Sequence, residues 1–103
     1  MIVINSINDI PIRLTNERRE HIISRHIEMV DEKDKVIETI ASPDFIQKGD
    51  INEKLAIKLY KDTPLDAKYL VVVYKEINEF DGYILTAYFT RKTSERRDII
   101  WKP

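Results

Sequence analysis

YLVVVYKEINEFDGYILTAYFTR, residues 69–91, decides the fold. Tyr69 to Ile77 is rich in Val, Leu and Tyr, and its unbroken run Leu70-Val71-Val72-Val73 predicts a central strand covered on both faces. Asn78 to Gly82 reads as a turn and Tyr83 to Arg91 as a second strong strand. Working outward, Leu55 to Tyr60 alternates apolar with other residues, Phe45 to Lys48 reads as a strand ending in a Gly49-Asp50 turn, and Ile99-Ile100-Trp101 adds a short last strand. Lys61 to Ala67, with Pro64, reads as a loop. Upstream the period changes. Thr15 is a candidate N-cap with Glu17 in the first turn, where a negative side chain suits the helix dipole. A helix from about Asn16 to Met29 is expected. A second, from Asp31 or Asp34 through Val36, Ile37 and Ile40, is stopped by Ser42-Pro43-Asp44. Met1 to Leu14, interrupted by Pro11, reads as a short edge strand or an extended arm. Helices followed by a meander of strands mean α+β, with N-terminal helices packed on an antiparallel sheet in a single domain spanning 1–103.

Composition narrows the function. Hydrophobic residues make up 43% and charged residues 34% of the 103, enough apolar mass for one packed domain and too little charge bias for wholesale disorder. The formal net charge of -1 excludes a generally basic nucleic-acid coat but not a local patch. The charge is uneven: residues 28–53 are acidic, whereas Arg91, Lys92, Arg96, Arg97 and Lys102 make the C-terminal end basic. Zero cysteines exclude a disulfide scaffold, a thiolate metal site and a cysteine nucleophile. Neither a GxGxxG nor a GxxxxGK[ST] phosphate loop occurs. With no apolar run of spanning length and no signal-peptide pattern at Met1, a cytoplasmic protein is expected.

Chemistry can reside in three places. The chain's two histidines, His21 and His26, share the first predicted helix. At 100° per residue His26 lies about 140° round from His21, Arg25 about 40° and Arg18 about 60°. Ile22, Ile23, Ile27 and Val30 define the apolar side, with His26 near its middle. His26 therefore reads either as a core histidine satisfied by one hydrogen bond or as a site residue, and His21 with Arg25 as a cationic flank or a solvated face. Zinc is disfavoured, because an i,i+5 pair does not share one face as an i,i+4 pair does. The second place is the strand Leu85 to Arg91. Alternation puts Thr86, Tyr88 and Thr90 on one face, with Leu85, Ala87 and Phe89 on the other. Such a hydroxyl row facing His21 and Arg25 would make a polar cleft; on an open sheet face it would be ordinary strand composition. The third place is the run Arg91-Lys92-Thr93-Ser94-Glu95-Arg96-Arg97, which reads as solvated surface or as a phosphate-binding segment beside that cleft.

Together the segments His21-Ile22-Ile23-Ser24-Arg25-His26, Val36 to Asp44, Lys68 to Val73, Tyr83 to Thr90 and Ile99-Ile100-Trp101 resemble the phage-type members of the barnase–EndoU–colicin–RelE (BECR) nuclease superfamily. The resemblance extends from about Leu14 to Lys102. It implies helices packed on a four- to five-stranded antiparallel sheet. It further implies a metal-independent endoribonuclease needing no cofactor, acting as the toxin of a toxin–antitoxin or mobile-element system. Its partners would be an RNA substrate and a cognate antitoxin protein. Catalytic residues would be His21, Arg25, His26, Tyr88 and Thr90, with Arg18, Thr86, Arg91, Lys92, Arg96 and Arg97 binding RNA. His21 would act as base or acid, Arg25 on the phosphate, and His26 as second proton-transfer group or orienter. The chain is less basic than many small ribonuclease toxins. The competing expectation is a non-catalytic protein-interaction module of the same fold, docking a partner through its acidic middle or a sheet edge.

Overall fold

A computed structural model describes residues 1–63, 66 and 68–103. The loop predicted around Pro64 lies partly outside the described residues, at 64, 65 and 67. The elements run β1 (Ile2–Asn5), β2 (Pro11–Leu14), α1 (Asn16–Arg25), a 3₁₀ turn (Ile27–Met29), α2 (Lys33–Ala41), β3 (Phe45–Lys48), β4 (Lys54–Leu59), β5 (Tyr69–Asn78), β6 (Asp81–Thr90) and β7 (Ile99–Trp101). Among the described residues these build one seven-stranded sheet, ordered β1-β2-β6-β5-β4-β3-β7. The α+β class agrees with the sequence, but the expected four to five antiparallel strands do not. Met1 to Leu14 is a hairpin rather than an arm, so the helices come after two strands. That hairpin joins β6 in parallel, Ile12 opposite Gly82 and Arg13 opposite Tyr83, which makes the sheet mixed.

Two features make the parallel pairing possible. A Cβ on Gly82 would stand 2.5 Å from both Ile12 Cδ1 and the Lys75 carbonyl, so only glycine admits this approach. It is a strand residue, not the end of the expected turn; the turn is Glu79-Phe80. Beside it, Arg13 grips Asp81 with two hydrogen bonds of 2.8 Å and lies over the Tyr83 ring.

The sheet is apolar on both faces. On the first, α1 and α2 bury Ile22, Val36 and Ile40 against Ile4, Ile12, Leu14, Leu70, Val72, Tyr74, Ile84, Ala87 and Phe89. On the second, Leu55, Ile57, Val71 and Val73 pack with Phe45, Tyr69, Leu85 and Tyr88. This explains the continuous run in β5. Leu70 and Val72 face the helices and Val71 faces the other way, each at most 2% exposed and contributing about 1.5–3 kcal/mol. Residues 91–98 lead from β6 to β7 at the far edge and cover part of the second face. Gln47 Nε2 donates to the Ser94 carbonyl (2.8 Å), and the Lys48 amide to the Asp98 carbonyl (2.8 Å).

Two local irregularities displace predicted positions. In β6 the register shifts: Val73 faces Thr86 but Tyr74 faces Ile84, leaving Leu85 extra. This bulge turns Leu85 onto the second face with Tyr88, not onto the face of Ala87 and Phe89 as simple alternation predicted. Helix α1 ends at Arg25 instead of continuing to Met29. His26 takes φ -136°, ψ 80°, and Ser24 Oγ donates to the His21 carbonyl (2.7 Å), a local competition that weakens a final helical turn. Ile27 and Val30, assigned to the buried side on a longer helix, are therefore 72% and 44% exposed. No helix among the described residues is long and apolar enough to cross a membrane.

Candidate functional site at the helix–strand junction

β2 pairs with β6 only as far as Arg13 and Tyr83. Beyond Tyr83 the chain of β2 turns into α1, capped by Thr15, whose side chain accepts the Arg18 amide (3.1 Å). Helix α1 thus runs beside the part of β6 that β2 leaves unpaired. Arg18 Nη1 reaches the Leu85 carbonyl (3.4 Å). At the far end, where the chain leaves the helix, the half-buried His26 ring meets Tyr88, with centroids 5.6 Å apart and planes inclined by 35°. His26 is neither at the centre of a buried helix face nor a core histidine. It stands at the margin of the sheet.

The hydroxyl row exists, but on the second face. Thr86, Tyr88 and Thr90 lie opposite Val73, Val71 and Tyr69, whereas α1 buries Ile22 on the first. The helix and the row therefore meet at the edge of β6 and not across a cleft, through His26 on Tyr88 and Arg18 on the bulge. Thr90 Oγ1 donates to the Lys92 carbonyl (2.9 Å), which commits its proton. His21 is exposed and shares a shallow hollow with Thr15, Glu17 and Arg18. Arg25 is exposed on the last turn of α1.

The charges divide into two groups. Arg97 reaches Asp50 (3.4 Å) and the Lys48 carbonyl (3.3 Å), so it fastens the crossover to the sheet. Among the described residues, Arg18, Arg25, Arg91, Lys92 and Arg96 make no ion pair. Burial pushes the Tyr88 phenol above its ordinary value, outweighing the opposing charge of Arg97. Tyr88 therefore stays a protonated donor at neutral pH. No group of three or more His, Asp or Glu side chains is arranged to hold a metal ion among the described residues. What the junction offers is an imidazole, a phenol and, on α1, the guanidinium groups of Arg18 and Arg25, neither in an ion pair among the described residues.

No protein-family model, curated protein or solved structure matches the chain. The functional reading therefore rests on the arrangement of residues.

A second polar cluster escaped sequence reasoning. The Glu76 carboxylate, its side chain 6% exposed, accepts from Ser6 Oγ (2.6 Å) and Asn8 Nδ2 (3.0 Å) and is ion-paired to Lys54. Burial pushes this carboxyl up, but the hydrogen bonds from Lys54, Ser6 and Asn8 and the charge of Lys54 together hold it below the usual range. It fastens the β1–β2 loop to β5 and so fixes the hairpin from which α1 departs. Its members come from positions 6, 8, 54 and 76, and no local signal connects them.

Proposed function

We propose that this chain is a metal-independent endoribonuclease, acting as the toxin of a toxin–antitoxin or mobile-element system and restrained there by an antitoxin protein. The approach of His26 to Tyr88 at the unpaired edge of β6 carries the reading, since it puts two proton-exchanging groups within reach of one phosphodiester. His26 takes the proton of a ribose 2′-OH, whose oxygen bonds to the adjacent phosphorus. The bond from phosphorus to the 5′-oxygen breaks as Tyr88 gives that oxygen a proton. The products are a 2′,3′-cyclic phosphate and a 5′-hydroxyl. Imidazole suits the base role because it exchanges protons near neutrality. Arg18 and Arg25 meet the charge on the phosphorus oxygens with permanently charged forks. His21, beside Arg18, contributes to the same anionic subsite. Arg91, Lys92 and Arg96 supply further phosphate contacts. The test is cleavage of a defined RNA in EDTA by the wild type and by His26→Ala. Wild-type cleavage with a loss of about 10²–10⁴-fold in the variant supports the reading. Equal cleavage by both, or cleavage only on metal addition, overturns it.

One observation favours a second reading as a docking module. Ile27 and Val30 are exposed beside Glu28, Asp31 and Asp34, a surface suited to a basic, apolar peptide. Intact RNA and unimpaired growth on inducing the wild-type chain in bacteria would select it.

A further inference from the structure

The second face of the sheet is organised in transverse rows. Gln47, Leu55, Val73 and Thr86 form one, closed over at Gln47 by Ser94. Phe45, Ile57, Val71 and Tyr88 form the next, in which Ile57 and Val71 are 1% and 2% exposed. The outermost row is Leu59, Tyr69 and Thr90, and among the described residues it is the least covered: Leu59 is 46% exposed and Tyr69 half-buried. Tyr69 faces Thr90, two residues beyond Tyr88, so the two tyrosines are diagonal neighbours, with backbone positions about 7–8 Å apart. That is close to the reach of one nucleotide of an extended strand. Lys68, Arg91 and Lys92 border this end, all exposed and without an ion pair among the described residues; the acids near it are Asp66 and Asp44, whose carboxylate accepts the Leu59 amide (2.7 Å) and lies 3.8 Å from Lys58 Nζ.

A partly exposed aromatic ring on a sheet, an aliphatic floor and a cationic rim suit one kind of ligand: single-stranded nucleic acid, whose bases stack while its phosphates meet the cations. Duplex RNA hides its base faces and cannot use such a ring. We infer that Tyr69 is the stacking platform for the nucleobase next to the phosphate held at His26 and Tyr88, and that it selects single-stranded RNA. This rests on the ribonuclease reading for the position of that phosphate. The stacking itself is independent of cleavage.

The experiment measures binding of a short single-stranded 2′-O-methyl oligoribonucleotide, which has no free 2′-OH to attack, carrying 2-aminopurine as a fluorescent base. Wild type should bind it and quench the 2-aminopurine, and bind its duplex markedly more weakly. Tyr69→Phe, which keeps the ring, should retain affinity and quenching. Tyr69→Ala should lose the quenching and bind about 5- to 150-fold more weakly. If Tyr69→Ala unfolds, the Tyr69→Leu variant replaces it, with the same expectation. Unchanged affinity in a folded ring-deleted variant, or equal binding of duplex and single strand, overturns the platform. Tyr69-dependent binding without any RNA cleavage by the wild type would refute the ribonuclease and leave the platform standing.

Discussion

Glu76 gives the most quantitative test of how the site is held. Replacing it by Ala leaves Ser6, Asn8 and Lys54 without their common acceptor. Hydrogen bonds to a charged group are worth about 1.5–3 kcal/mol each and are not additive. Breaking a fully buried ion pair costs about 3–5 kcal/mol. Lys54 remains 29% exposed and can turn to water, which puts the loss at the low end, about 3 kcal/mol. For a domain of this size, that corresponds to a fall in Tm of about 12–20 °C. The pH dependence supplies a signature that simple loss of packing lacks. The folded-state carboxyl titrates below its unfolded value of 4.5, so its stabilisation is complete above that pH and disappears as acid protonates the folded form. Urea unfolding of wild type and Glu76→Gln should therefore differ most at neutral pH and converge in acid. A Glu76→Ala variant within about 1 kcal/mol of wild type, far under the cost expected for an uncompensated lysine, refutes the network. So does a wild-type-to-Gln gap that is the same at neutral and strongly acidic pH.

Particular contacts set three further outcomes. Gly82→Ala should destabilise by about 1–3 kcal/mol in chemical denaturation, because its methyl has no room between Ile12 and Lys75. Thr15→Ala removes the cap of α1 and should cost about 1 kcal/mol, read by the same titration. Arg25→Ala should weaken binding of the uncleavable oligonucleotide and make its salt dependence shallower by about 0.7 in the slope of log K against log salt; an unchanged slope would remove Arg25 from the phosphate site.

Most of the strands were legible because their signals are local. Phe45–Lys48 and Ile99–Trp101 have the bounds read from sequence, and the both-sided burial of β5 was visible in four consecutive apolar residues. The parallel seam was not, since it depends on Gly82 meeting Ile12, seventy positions earlier, and glycine at a strand end reads as a turn. The site was partly legible. His26 and Tyr88 were both candidates and do meet, but not across a cleft between the helix flank and the hydroxyl row. One extra residue at Leu85 and one early helix end at Arg25 each rotate the neighbouring side chains out of their expected phase, and periodicity averages over such single-residue events. Sequence could not single out Tyr69 among the chain's aromatic residues, because exposure at the end of a sheet depends on where a distant crossover lies.

The proposed step is the joint action of His26 and Tyr88 on one phosphodiester. Its most direct test is end-group analysis of a defined RNA, and of the same RNA with a single 2′-deoxyribose 5′ to the cleaved bond, after incubation in EDTA with wild type and Tyr88→Phe. The expected result is 2′,3′-cyclic phosphate and 5′-hydroxyl ends from wild type, no cut at the deoxy position, and cleavage reduced by about 10²–10⁴-fold in Tyr88→Phe. Cleavage at the deoxy position, or undiminished cleavage by a folded Tyr88→Phe, would contradict it.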